Sequence, residues 1–314
     1  MSVAMKGRES EMLQDFDQWM QWSSSHFSKS NSARDSKCDF SAEVSAWSYG
    51  PVELSWTSFF EDQTASYTRG PSEISADPRE HFELITIVRG DVELEQGGRR
   101  TLLTGGDCAI YEQASPFSLR FRGECETIFL NVPSSRILRR WPDAIRLTAL
   151  RVAGSSKFGG FVSTMLRELV ELDLDTETAC QAGLGHSITD SVLASLELDL
   201  RGHLADSGGD SKLLVLIKKF ALANLSNPDL SIDNIASSQG ISRSTLNRLF
   251  ATEATTPMKW VWEQRLASCH DALATGRVKQ ITSLAFDHGF NDLSHFSRSF
   301  RAKYGCSPRS MLRP

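Results

Sequence analysis

The sequence predicts a chain of two parts: an N-terminal antiparallel β-barrel of the jelly-roll type with a helical segment behind it, and a C-terminal all-α domain with two helix-turn-helix units. Three observations predict it. Apolar residues alternate from about Phe40 to Val132 and recur at helical intervals on either side. One pattern occurs twice near the C-terminus, as Ile232, Ile235-Ala236, Gly240-Ile241, Leu246, Phe250 and as Ile281, Leu284-Ala285, Gly289-Phe290, Phe296, Phe300. Charge is divided unequally: residues 210–314 hold 14 Lys and Arg against 8 Asp and Glu, while residues 1–209 hold 20 against 31.

A chain of 314 residues is long enough for two domains with separate cores. No apolar run reaches membrane-spanning length, so no membrane partner is expected. Lys6, Arg8, Glu9 and Glu11 interrupt the N-terminus, and no secretory signal is visible there. The six cysteines, at 38, 108, 125, 180, 269 and 306, have neither paired nor metal-type spacing. They read as reduced, mostly buried residues of a cytoplasmic protein. A net charge of −5 argues against nucleic acid when taken whole, but the basic C-terminal third on an acidic body is the footprint of one domain meeting phosphate.

Residues 1–37 are expected to hold an N-terminal helix and a loop. Leu13, Phe16, Trp19 and Met20 fall at helical intervals, and the Ser- and Asn-rich stretch Ser23 to Ser36 reads as loop. A second segment, 38–200, divides into a barrel over 38–135 and helices over 155–200. Val52-Glu53-Leu54-Ser55-Trp56, Val92-Glu93-Leu94-Glu95 and Phe117-Ser118-Leu119-Arg120-Phe121 alternate as strands. Arg89-Gly90-Asp91, Gly97-Gly98, Gly105-Gly106-Asp107 and Ser115-Pro116 separate the runs as turns. Short strands closely spaced in this way suggest a jelly-roll, cupin-like barrel.

The barrel offers little chemistry. A metal-binding barrel of this type supplies a His-x-His pair and a carboxylate from one strand, whereas this stretch has only His81 with Glu83. Neither a metal nor a cofactor is expected, and His81 reads as a strand residue. A Gly-x-Ser-x-Gly elbow, a phosphate-cradling glycine loop and a Cys-x-x-Cys pair are absent from the sequence. Phe82, Phe117 and Phe121 can line a pocket or fill the core, and no ligand residue is assigned. Behind the barrel, Phe161, Met165, Leu166, Leu169 and Val170 form one helical stripe and Ile188, Val192, Leu193 and Leu196 another. Intrachain core and dimer interface fit these stripes equally. Gly183-Leu184-Gly185-His186-Ser187 reads as a helix break, and residues 201–211 as a polar, glycine-rich linker.

Residues 212–314 carry the repeat. Lys212 to Leu225 is expected as a first amphipathic helix, with Ser231 capping the second and Ser242 the third. With Leu246 and Phe250 inward, Arg243, Ser244, Thr245, Asn247 and Arg248 face out from the helix that would read DNA, joined by Ser242 at its cap. Asn can pair with adenine, and Arg with guanine or phosphate. Thr256 and Pro257 open a longer helix to about Ala274, a spacer of ~27 Å against ~34 Å for one DNA turn. The second unit presents Leu293, Ser294, His295, Ser297 and Arg298, with Arg301 and Lys303 extending its positive edge. The repeat offset is 49 residues up to the glycine and 50 beyond it, so the second turn holds one extra residue. Leu293 among polar positions suggests apolar contact with a thymine methyl and looser reading.

These residues are similar to the AraC/XylS family of bacterial transcription regulators. The likeness covers about Leu213 to Leu312 and rests on Ile235-Ala236, Gly240-Ile241-Ser242, Leu246 with Phe250, Arg265-Leu266, Ala285 with Gly289-Phe290 and Asp292, Phe296 with Phe300, and Gly305 with Ser307-Pro308. It implies seven helices, two DNA-reading helices and activation through RNA polymerase. Leu94-Glu95-Gln96, Gly98-Arg99, Leu103, Gly106-Asp107, Pro116-Phe117 and Val132-Pro133 resemble the effector-binding barrel of the same family. That likeness implies an effector-binding and dimerisation domain over 38–200 and a DNA-binding domain over 212–314. The expected function is a sequence-specific DNA-binding regulator, an activator responding to a small, including aromatic, effector and working as a homodimer. Two alternatives are a ligand-independent repressor or architectural DNA-binding protein, and a cupin-type enzyme, which the missing His-x-His disfavours.

Overall fold

The computed structural model describes residues 10–34, 40–49, 52–60, 64–142, 144–171, 178–200, 209–253, 255–274, 278 and 280–312. The chain divides into two compact units, Met1–Pro133 with Ile145–His203, and Ser134–Ala144 with Leu204–Pro314.

The first unit is built on nine strands: β1 (Glu11–Leu13), β2 (Asn31–Arg34), β3 (Ser41–Tyr49), β4 (Val52–Phe60), β5 (Thr64–Arg69), β6 (His81–Gln96), β7 (Arg99–Leu103), β8 (Cys108–Glu112) and β9 (Phe117–Pro133). Every ladder among them is antiparallel, in the order β1-β3-β4-β9-β5-β2, with β6 joining β7, β8 and β9. The two longest strands form the spine. β6 runs along one edge of β9, while β5 and β4 share the other edge, at its N-terminal and C-terminal halves. Register shifts at Ile87/Arg89 and Arg89/Asp91 bend the pair, as bulges do, and curl the sheet into a half-barrel. Alternation then sends Ile85, Ile87, Val92 and Leu94 of β6 into the same core as Phe117, Leu119 and Phe121 of β9.

The described part of the first 37 residues packs with the barrel. Helix α1 (Phe16–His26), capped by Asp15, carries Trp19 and Trp22 into the barrel core, where Trp19 meets Phe59 edge-on at 4.8 Å. The stretch expected as loop over Ser23–Ser36 holds the end of α1 and then β2, which pairs with β5. Its polar side chains hid the strand, because an edge strand with half-exposed faces has no apolar alternation to show.

Three polar residues of the barrel-like motif tie the connections down. Gln96 accepts from the Glu112 amide at 2.8 Å and donates to the Glu112 carbonyl at 2.7 Å. Arg99 donates to the carbonyls of Thr148 (2.8 Å) and Ile145 (2.9 Å). Asp107, almost wholly buried, accepts from Arg151 (2.7 Å), the Gly154 amide (2.9 Å) and the Thr104 amide (2.9 Å). Burial raises the Asp107 carboxyl, but those hydrogen bonds outweigh it and hold the group below the usual carboxylate range. A short helix, α2 (Pro71–Ala76), lies between β5 and β6, and α3 (Ser134–Arg140) follows β9.

Helices α4 (Lys157–Glu171) and α5 (Thr178–Asp199) pack on each other and on the sheet, α4 against β6 and α5 against β3 and β4. Most of both predicted stripes is therefore intrachain core, with Val162, Leu166, Val192 and Leu196 buried. Phe161 is the exception, 51% exposed. The expected break at Gly183-Leu184-Gly185 is absent, because α5 runs through it. Gly185 is there for close approach: a Cβ on it would stand 2.2 Å from the Tyr49 carbonyl of β3.

The second unit contains α3 and α6 (Gly209–Ala223), α7 (Ile232–Ser238), α8 (Arg243–Ala251), α9 (Pro257–Ala274), α10 (Ile281–Asp287) and α11 (Leu293–Tyr304), ending in a 3-10 turn over Pro308–Met311. From residue 209 on, this makes six described α-helices and a final 3-10 turn where the resemblance implied seven helices. α6 starts at Gly209, inside the expected linker 201–211, and residues 201–208 of that linker lie outside the described residues. α3 was not foreseen. It packs against α6 and α9, with Ile137 and Trp141 buried, so residues 134–144 leave the barrel.

Candidate nucleic-acid interface and barrel cavity

The two repeat copies fold into two helix-turn-helix units with separate cores. The first gathers Leu214, Ile217, Ile235, Leu246 and Phe250, and the second Leu284, Ala285, Phe290, Phe296 and Phe300. Helix α9 serves both, giving Trp260 and Val261 to the first core and Leu266, Cys269 and Leu273 to the second. That division explains why the buried residues of α9 are not confined to one face. Its 18 residues span about 27 Å as one continuous helix.

The turns are equivalent up to the glycine. The Ile241 amide donates to the Ala236 carbonyl, and the Phe290 amide to the Ala285 carbonyl, each at 3.0 Å. Gly240 and Gly289 both have positive φ, +63° and +78°. The copies then diverge. Ser242 caps α8 by accepting from the Thr245 amide at 3.1 Å. In the second copy Asn291 is the extra residue, and Asp292 caps α11 by accepting from Ser294 (2.7 Å) and His295 (3.0 Å). Those two amides hold the Asp292 carboxyl below its ordinary range.

The outward positions sort by what already holds them. Ser244, Asn247 and Arg248 on α8 are exposed, as are Ser294, Ser297 and Arg298 on α11. Ser242 and Thr245 are committed to the cap, their hydroxyls 3.0 Å apart. Arg243 is exposed and paired with Asp233, and Arg248 with Asp210 at 2.8 Å. Arg298 instead donates to the Ser294 carbonyl of its own helix at 3.2 Å. Exposed ion pairs contribute little, so exchanging either carboxylate for a phosphate costs little. Leu293 does not project outward as expected: it is half-buried against the second core. His295 is exposed, with its ring edge-on to Trp262 at 4.8 Å.

Sequence reasoning missed two buried cations that hold this unit. Arg265, 1% exposed in the middle of α9, donates to the carbonyls of Leu225 (2.9 Å) and Asn227 (2.6 Å). Lys218 donates to Glu253 (2.6 Å) and the Pro142 carbonyl (3.2 Å), and so anchors the segment that follows α3. The Arg265-Leu266 motif was the one available signal for the former.

Inside the half-barrel is a small, partly open cavity of about 40 Å³. Aromatic rings wall it: Trp19 and Phe27 from α1 and its end, Tyr67 from β5, Tyr111 from β8, and Phe117, Phe121 and Phe129 from β9. Of the three phenylalanines weighed from the sequence, Phe117 and Phe121 line it and Phe82 does not. Glu83, 1% exposed, also lines it and accepts hydrogen bonds from the Tyr111 hydroxyl and Gln113 Nε2. Arg69, fully buried, donates to the Gln113 carbonyl at 2.9 Å and so fixes the residue that holds Glu83. Burial pushes the Glu83 carboxyl up to about 7 against the opposing pull of its two donors.

A curled antiparallel sheet enclosing a cavity, and two capped exposed helices on a basic helical unit, define a DNA-binding transcription regulator rather than an enzyme. Family models match an AraC-binding-like domain over residues 19–197 and a helix-turn-helix domain over residues 235–313. The chain belongs to the AraC-binding-like family of regulators. Transcriptional activator NphR of Rhodococcus sp is 27% identical over 274 residues, 86% of this chain and 80% of NphR. Transcriptional activator RhrA of Rhizobium meliloti (strain 1021) is 36% identical over 98 residues, 31% of each chain. The crystal structure of the AraC-like transcriptional activator CuxR shares the fold with a TM-score of 0.53 at 17% identity, covering 84% of this chain and 96% of that one. No described helix is long and apolar enough to cross a membrane.

Proposed function

We propose that the chain activates transcription by docking α8 and α11 in double-stranded DNA, under the control of a small effector held in the barrel cavity. The observation that carries the reading is the pair of capped helices, with Arg248 and Arg298 at equivalent positions, joined by one uninterrupted 18-residue helix. Ser244, Asn247, Ser294 and Ser297 accompany the arginines as base or phosphate contacts, while Ser242, Arg243, Thr245 and His295 lie at the edge of the docking face. Leu293 serves its own core, so the polarity of the second reader rests on its serines. The name of NphR, a transcriptional activator matched over most of both chains, supports activation and hence contact with RNA polymerase. The protein works in the cytoplasm as a homodimer.

Mapping the bound sites across the genome supplies an operator, and gel-shift titration on it tests the assignment. Arg248→Ala and Arg298→Ala are each expected to weaken binding by about 1–3 kcal/mol, with unchanged circular dichroism. Unaltered affinity in both variants would sink the two helices as readers. Two readers on one spacer also require protected stretches ~10 base pairs apart on one face of the DNA.

A further inference from the structure

We propose that the effector is an aromatic amine: a molecule with a ring that fills the aromatic cavity and an ammonium group that sits on Glu83. The inference rests on the effector reading above and names the ligand class of that cavity. Three observations carry it.

The first is charge. The one ionisable carboxylate lining the cavity is Glu83, and among the described lining residues there is no Lys, Arg or His. An aromatic carboxylate would enter an apolar space whose one acid it must keep protonated, and would find no cation among the lining residues to pair with, which low dielectric penalises. A cation gains from the same arrangement. The second is geometry. Tyr111 and Gln113 each donate to a different oxygen of Glu83, which lines the cavity, and a carboxylate has about four acceptor sites, so roughly two remain for a ligand. Trp19, Tyr67 and Phe121 line the same cavity, and an aromatic ring attracts an ammonium that reaches its face. The third is unmet bonding capacity. Trp19 Nε1 and Tyr67 Oη are neighbours in the wall of the cavity, both residues more than nine-tenths buried, and apart from each other neither atom has a hydrogen-bond partner among the described residues. Buried polar atoms left so are rare in folded proteins, and a polar substituent on a bound ring would complete them.

The charged groups around Glu83 fit this role. Tyr111 contacts it, while Glu53, Arg69 and Arg79 act on it through their fields. Without ligand the carboxyl holds its proton up to near neutrality. A bound ammonium favours the ionised form, so binding releases a proton and strengthens as pH rises from about 6 to 8.

The test is calorimetry and thermal shift on the full chain with benzylamine, 2-phenylethylamine and tyramine, against benzoate, phenylacetate and benzyl alcohol. The amines are expected to bind and stabilise, and the carboxylates not to. At pH 7, titration in two buffers of different ionisation enthalpy is expected to show release of a fraction of a proton per amine bound. Glu83→Gln is expected to weaken amine binding by about ten- to a hundred-fold. Proton release by the unmodified chain keeps the test independent of how that variant folds. Binding of the carboxylates or benzyl alcohol without the amines would overturn the amine assignment and leave the effector reading standing. Amine binding with no proton release and no loss in Glu83→Gln would overturn the role of Glu83. No binding by any of the six would remove both the amine assignment and the effector reading of this cavity.

Discussion

Gly289→Ala is expected to destabilise the second helix-turn-helix by about 3–4 kcal/mol, and Gly240→Ala the first by only about 1 kcal/mol. Both glycines have a left-handed backbone, so an alanine is strained at either position. Their surroundings differ. Nothing lies within 4 Å of a Cβ built at Gly240. At Gly289 the same atom would stand 2.3 Å from the Leu225 carbonyl and 2.8 Å from Arg265 Nη2. That carbonyl is the acceptor of Arg265 Nε, so relieving the clash pulls apart the bonds of a guanidinium that has almost no access to water. Leaving such a charge without acceptors costs several times a neutral hydrogen bond. Amide hydrogen exchange of α7 with α8 and of α10 with α11 reads the two effects separately. Equal loss of protection in the two variants would show that the contact with Leu225 and Arg265 is not what the glycine serves.

The contrast between these glycines marks what the sequence could show. The repeat was legible because each copy needs the same few apolar, small and glycine positions, and the one-residue change of offset located the turn that Asn291 lengthens. Capping by Ser242 was legible for the same local reason, whereas Asp292, the cap of the second reader, was seen only as part of a family motif. What failed was everything that needs two distant segments. Arg265 takes its acceptors from the end of α6, about 40 residues away, and no periodicity announces such a pair. Glu83 sat in an alternating strand and was weighed only as a metal ligand beside His81, because the donors that make its burial tolerable come from β8 and the residue after it. Trp19 was placed correctly on a helix, but nothing local says that this helix fills a curled sheet. The glycines of α5 were misread as a break because the use of Gly185, admitting Tyr49 of β3, is tertiary.

Glu83→Gln is expected to raise the stability of the ligand-free protein by about 2–3 kcal/mol at pH 8, and to change it little at pH 4.5. The sign follows from linkage. In the unfolded chain the carboxyl titrates near 4.3, while in the folded barrel burial raises it to about 7. Between those values the folded state keeps a proton that the unfolded state has lost, so stability is fully present below about pH 4.3, falls as pH rises, and levels off above 7. A glutamine does not titrate and escapes that loss. It can accept from Gln113 through its oxygen and donate to the Tyr111 hydroxyl through its amide, so the neighbours of residue 83 keep their partners. Thermal unfolding followed from pH 4.5 to 8 checks this, with a gap between variant and parent that opens toward pH 8 to roughly 5–10 °C. A variant that melts at or below the parent at pH 8 would mean that Glu83 is ionised without penalty in the empty barrel. A carboxyl whose ionisation costs that much in a ring-lined cavity gains when a cation arrives, and the same substitution that stabilises the empty protein removes the place where an amine would bind.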